Sequence, residues 1–141
     1  MHWAAWGGSA ATAKLLLERG AAATAADKDG RTPLHWTAYQ LPFDDVGYKT
    51  LLRLIQASAD AHRDTVNVLA AKGGLEARDH SGKTPLHLAA EEGFTAAAEA
   101  LLANKADINA KDKEGKMPLN IALEKNDDDT AALLRKHGAK K

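Results

Sequence analysis

Three histidines, His2, His35 and His87, are the residues in this chain whose type and placement come nearest to chemistry. Imidazole nitrogens bind transition metals, so a metal centre is the first reading to test. Each histidine sits in the same local context: Pro33-Leu34-His35-Trp36 returns as Pro85-Leu86-His87-Leu88, and His2-Trp3-Ala4-Ala5 is a shortened copy 33 residues before His35. Side chains at one register of successive structural units lie about one unit apart. Shared coordination at about 2 Å is then out of reach, and the expectation is no metal and no metal-bound cofactor.

Other candidates fail on composition or spacing. The chain has no cysteine, which removes disulfides, zinc thiolates and thiol nucleophiles. Gly7-Gly8 and Gly73-Gly74 lack the spacing and the lysine of a phosphate-binding turn. Asp44-Asp45 and Asp127-Asp128-Asp129 lack the alternating ligands and central glycine of a calcium loop. They read instead as helix starts. No Ser-His-Asp grouping stands out, and no catalytic residue is assigned. The formal net charge is +0, with both signs mixed along the chain. That leaves no basic footprint for nucleic acid. No apolar run is long enough to span a membrane, and no secretory signal opens the chain. A cytoplasmic location is the default expectation.

The elements that carry these residues are repeats. Thr32-Pro33-Leu34-His35-Trp36-Thr37-Ala38, Thr84-Pro85-Leu86-His87-Leu88-Ala89-Ala90 and the weaker Met117-Pro118-Leu119-Asn120-Ile121-Ala122-Leu123 share one pattern. A D-x-x-G turn precedes each: Asp27-Lys28-Asp29-Gly30, Asp79-His80-Ser81-Gly82 and Asp112-Lys113-Glu114-Gly115. Units end near Gly20-Ala21, Gly73-Gly74, Lys105-Ala106 and Gly138-Ala139. Self-similarity at this period means stacked units, and it points to a binding surface rather than a catalytic cleft.

The local chemistry agrees. Thr32 and Thr84 offer N-caps, and Pro33 and Pro85 take the first helical position, where a missing N–H costs nothing. First helices are expected at about 33–40, 85–92 and 118–125, with a remnant before Gly7; second helices at about 9–19, 62–72, 95–104 and 128–137. Met117 lacks the cap hydroxyl, so the last unit is expected to be less well fixed. Trp3 and Trp36 share the register of Leu88 and Ile121 and are assigned to packing between helices. Asn109 is read as a brace of the turn between units.

On these residues the chain resembles the ankyrin repeat family. The resemblance implies an all-α solenoid of about four helix-turn-helix units, read at about 1–26, 27–78, 79–111 and 112–141, in one repeat domain. It also implies that each histidine bonds the threonine of its own unit and bridges loops. Partners of the family commonly dock on the turn tips and the exposed side of the first helices. Carried over residue by residue, the tips are Lys28, Asp29 and Arg31; His80, Ser81 and Lys83; Lys113, Glu114 and Lys116. The helix positions are Trp6, Tyr39 and Gln40, then Glu91 and Glu92, then Glu124 and Lys125. Trp6 and Tyr39 would make an aromatic end, and the glutamates an acidic end.

The chain departs from the family between Thr32 and Thr84, which are 52 residues apart. About twenty extra residues, 39–58, form an insertion in the second unit. Tyr48, Leu52, Ile55, Ala59, His62, Val66 and Leu69 alternate in steps of four and three, one helical face running into the second helix. A separate helix over 45–58 with a bend at Ser58-Ala59-Asp60 is the alternative. Leu41 and Phe43 would cover that face locally; left uncovered, it would serve self-association or a partner.

The expectation for function is a non-enzymatic protein-interaction module with a protein partner. The alternatives are an engineered or purely structural scaffold and a regulatory piece of a larger protein.

Overall fold

A computed structural model describes residues 1–7, 9–38 and 48–140, and within 48–58 the backbone only. Among the described residues there are eight helices and no strand: α1 (His2–Trp6), α2 (Ala10–Glu18), α3 (Pro33–Trp36), α4 (Tyr48–Ala70), α5 (Pro85–Glu91), α6 (Thr95–Ala103), α7 (Pro118–Glu124) and α8 (Asp128–Lys136). They pack as consecutive pairs. The first helices form one row, α1 on α3 on α5 on α7, and the second helices form another, α2 on α4 on α6 on α8. The core runs between the rows as a continuous apolar seam that includes Leu34, Val66, Leu69, Leu86, Leu101, Leu119 and Leu134. Alanines at 0% exposure (Ala5, Ala38, Ala89, Ala90, Ala98, Ala122 and Ala131) let the helices approach closely. A single pair could not bury both its faces, so stability comes from the neighbours.

Helix ends follow from local chemistry. Ser9 and Asp127 accept the backbone N–H of Thr12 and Thr130 at the starts of α2 and α8. Asp128 and Asp129 then stand in the first turn of α8, and Arg135 and Lys136 in its last, matching the helix dipole. One expected helix is shorter than its reading. α3 stops at Trp36 rather than near residue 40, where the Thr37 hydroxyl donates to the Leu34 carbonyl at 2.7 Å. α4 is a single helix through Ser58 and Ala59, 23 residues against nine for α2, α6 and α8. Tyr39, Gln40, Leu41, Phe43 and the side chains of the insertion 39–58 lie outside the described residues, and so does the self-association reading built on them. No described helix is long and apolar enough to cross a membrane.

The second helices end in a left-handed residue. Gly20, Gly73 and Gly138 fill it in three units, and Lys105, at φ 69°, in the remaining one. A side chain there costs about 1–2 kcal/mol. Lys105 is exposed. Lys105→Gly is therefore expected to stabilise the protein by about 0.5–1 kcal/mol, part of the gain being offset by the entropy glycine adds to the unfolded chain. Urea denaturation of the two proteins checks this.

Candidate functional site

The turn tips, the first helices and the buried histidines form one structure. In each described tip an aspartate organises the loop. One oxygen of Asp27 accepts the backbone N–H of Asp29 and Arg31; Asp79 does the same for Ser81 and Lys83, and Asp112 for Glu114 and Lys116, all at 2.8–2.9 Å. The second oxygen of Asp27 takes the indole N–H of Trp36 at 2.9 Å. Burial works against the Asp27 carboxylate. The backbone donors of Arg31 and Asp29, the Trp36 indole and nearby His2 outweigh it and hold its pKa below the usual carboxylate value.

The tips are stitched to one another. The backbone N–H of His80 donates to the Asp29 carbonyl at 2.9 Å, and that of Lys113 to the Ser81 carbonyl at 3.1 Å. Gly30 and Gly82, both at φ +78°, make this approach possible. A Cβ on Gly30 would lie 2.7 Å from the His80 ring, and one on Gly82 would lie 2.9 Å from the backbone nitrogen of Lys113. Arg78 adds hydrogen bonds to the carbonyls of Gly82 and Lys111. Farther along, the Asn109 side chain accepts the backbone N–H of Lys140 at 3.0 Å, which is the bracing role read from sequence.

The histidines hold the tips to the helices. The Thr32 backbone N–H donates to His35 Nδ1 at 3.1 Å, with the Thr32 hydroxyl 3.0 Å from the same nitrogen. The proton therefore sits on Nε2, which donates to the Lys83 carbonyl of the next unit at 2.9 Å. His87 repeats the arrangement with Thr84 at 3.1 and 2.8 Å and the Lys116 carbonyl at 3.1 Å. His2 reaches the Arg31 carbonyl at 3.0 Å. In the last unit Asn120 Oδ1 accepts the Met117 N–H at 2.9 Å, so half of the bonding survives without the threonine. Both nitrogens of His35 and of His87 are thus committed to structure. Among the described residues no group of three or more possible metal ligands assembles.

This geometry has a pH consequence. Burial lowers the pKa of His35 and His87 below 6.5, although the carbonyls and nearby aspartates pull the other way. The unfolded chain takes up the proton at about 6.5 and the folded protein resists it. Their contribution is complete above that pH and is lost as pH falls from it toward the folded pKa. The loss reaches at most about 1.4 kcal/mol per pH unit for each histidine. Urea midpoints at pH 7.5 and 5.5 are expected to fall for the native protein and to fall less for His87→Gln.

The expected partner-binding residues separate into three groups. Lys28, Asp29, His80, Ser81, Glu92, Lys113 and Glu114 are exposed along the tips and first helices. Arg31, Lys83, Glu91, Lys116 and Trp6 are half-buried. Of these, Lys83 pairs with Glu91 at 2.7 Å, and Lys116 with Glu124 at 2.9 Å and Glu114 at 3.1 Å. Glu124 and Glu114 hold the Lys116 ammonium above its usual pKa. Lys113 Nζ reaches back to the His80 carbonyl at 2.7 Å. Tyr39 and Gln40 lie outside the described residues. The third and fourth units thus present a face whose charges are largely paired with one another.

Trp3 corrects the sequence reading. It was assigned to packing between helices, yet it is 79% exposed, whereas its register mates Leu88 and Ile121 are at 1% and 5%. Leu88 and Ile121 are covered by the preceding unit, and among the described residues no unit lies over α1. Trp36 does pack against the core and meets the His2 ring edge-on at 6.4 Å. Trp3 instead meets Trp6 edge-on at 5.5 Å. It borders an open groove of about 500 Å³ with Met1, His2, Asp27, Lys28, Asp29 and Trp36. Sequence reasoning placed Lys28 and Asp29 here and missed Trp3 and Met1.

Comparison with known families agrees with this architecture. Residues 54–141 match the family model described as ankyrin repeats, in three copies.

Proposed function

This chain belongs to the ankyrin repeat family, and we propose that it binds a partner protein through its turn tips and the exposed side of its first helices. Ankyrin repeats are generally non-catalytic protein-interaction modules. The unit boundaries that go with this reading fall near 26/27, 78/79 and 111/112, within one repeat domain. The observation that carries it is the rigid row of tips. Backbone hydrogen bonds join Asp29 to His80 and Ser81 to Lys113, and Lys28, Asp29, His80, Ser81, Lys113 and Glu114 stand exposed along that row. Side chains held by a pre-formed backbone lose little freedom on binding. A purely structural scaffold, or a regulatory piece of a larger protein, is the competing reading.

The test is competitive selection. Binding partners selected against the native protein are measured on two variants of matched stability. One carries Lys28→Glu, His80→Ala and Glu114→Lys at the tips; the other carries Lys14→Glu and Lys136→Glu on the second helices. The tip variant is expected to lose affinity at least about tenfold, since a few interface residues carry most binding energy. The second-helix variant is expected to bind as the native protein does. The reverse pattern would place the interface on the second helices and refute the proposal.

A further inference from the structure

The tips of the third and fourth units carry two kinds of cation. Lys83 and Lys116, where the chain leaves each turn, are ion-paired to Glu91 and to Glu124 and Glu114. Arg78 and Lys111, where the chain enters each turn, and Lys113 within the second of them are exposed. Among the described residues none of these three is ion-paired to a carboxylate.

Backbone acceptors hold two of them in place. Arg78 Nη1 donates to the carbonyls of Gly82 and Lys111. That ties the guanidinium across both tips and leaves the N–H groups on Nη2 and Nε for another acceptor. Lys113 Nζ donates to the His80 carbonyl at 2.7 Å and keeps further N–H groups of its ammonium. The Lys113 backbone N–H on the Ser81 carbonyl fixes one tip against the other. The Lys111 ammonium has no hydrogen bond among the described residues. Nearby carboxylates are engaged elsewhere. Asp79 and Asp112 are buried, and one oxygen of each accepts two backbone N–H groups. Glu76 accepts the Asp107 N–H at 2.7 Å, and Asp107 the Asn109 N–H at 3.0 Å.

We propose that Arg78, Lys111 and Lys113, on two adjacent tips, dock a short run of aspartates or glutamates of the partner protein. Carboxylates suit the site. A guanidinium bonds them through paired N–H groups, and charge-assisted hydrogen bonds are the strong ones. Cations already oriented by the backbone lose little freedom on binding. Glu76, Asp107 and Glu114 flank the cluster along the chain and would repel a long polyanion, which favours a short acidic segment over a nucleic acid. This inference rests on the protein-interaction reading above and names the chemistry that the partner must carry.

The experiment titrates the full chain into labelled, capped heptapeptides that differ in a central triad of glutamates, glutamines or lysines, followed by fluorescence anisotropy. The Glu peptide is expected to bind saturably, and the Gln and Lys peptides about tenfold more weakly or not at all. Added salt should weaken the Glu peptide. Lys111→Gln removes no described hydrogen bond and is expected to weaken the Glu peptide about threefold; Lys111→Gln with Lys113→Gln is expected to weaken it about tenfold. Lys14→Gln with Lys125→Gln removes as much charge elsewhere and should leave binding unchanged. Equal binding of the Gln peptide, no effect of Lys111→Gln, an equal loss in the control pair, or no saturable binding of the Glu peptide would overturn the proposal. So would a single-stranded oligonucleotide of equal charge that binds more tightly than the Glu peptide. A selected protein partner that loses affinity with the tip variant above but not with the Lys111→Gln, Lys113→Gln pair also overturns it, and leaves the broader interaction reading standing.

Discussion

Replacing His87 with alanine is expected to destabilise the protein by about 3 kcal/mol, a large part of the stability of a domain this size. The imidazole is fully buried and serves three groups: the Thr84 backbone N–H, the Thr84 hydroxyl and the Lys116 carbonyl of the next unit. Alanine leaves these without their partner in a buried site and opens a cavity beside them. His87→Asn is the informative companion. Asn120 shows that an amide at this register still accepts the backbone N–H three residues earlier. Asparagine at 87 should therefore recover part of the loss, the Nε2 bond to Lys116 remaining absent. Urea denaturation of the three proteins measures the ranking, native above asparagine above alanine. Equal stability of native and alanine proteins would remove the histidine from the account of how units are joined.

A second large effect is expected at the tips. Gly82→Ala should cost about 3 kcal/mol and Gly115→Ala only about 1–2 kcal/mol. Both glycines have left-handed backbones, φ +78° and +79°, so both pay the conformational term. They differ in what a methyl group would meet. At Gly82 it would sit 2.9 Å from the Lys113 backbone nitrogen and 2.9 Å from Lys113 Cγ; at Gly115 nothing lies within 4 Å. Alanine at 82 must push the next tip away and lose the bond from Lys113 N–H to the Ser81 carbonyl. Thermal melts of the two single variants separate the terms. Equal losses would mean that the tips are not held against one another, and the rigid row of side chains would lose its foundation.

Much of the fold was legible because its signals are chemical and local. Proline at the first helical position, threonine before it, histidine two residues after it and glycine in the preceding turn each leave a residue that few others can replace. The pairings across each unit were harder to read. Lys83 meets Glu91, and Lys116 meets Glu124, at a spacing of eight that belongs to no single helix or strand. It arises where the chain leaves a turn and doubles into a helix, so Glu91 and Lys116 looked freer in sequence than they are. Trp3 shows another limit. Its register predicts packing, but register says which way a side chain points, not whether a neighbour is there. The extent of α3 was misjudged: it stops at Trp36, and the chain leaves it through a tightened turn in which the Ala38 N–H donates to the His35 carbonyl at 3.2 Å.

The most direct measurement is hydrogen exchange of the full chain with and without a selected protein partner. Bound partner should slow exchange at the tips, residues 27–31, 79–83 and 112–116, and along α1 and α5, and leave α2, α6 and α8 unchanged. Protection confined to α2, α6 and α8, with the tips exchanging as in the free protein, would contradict the account.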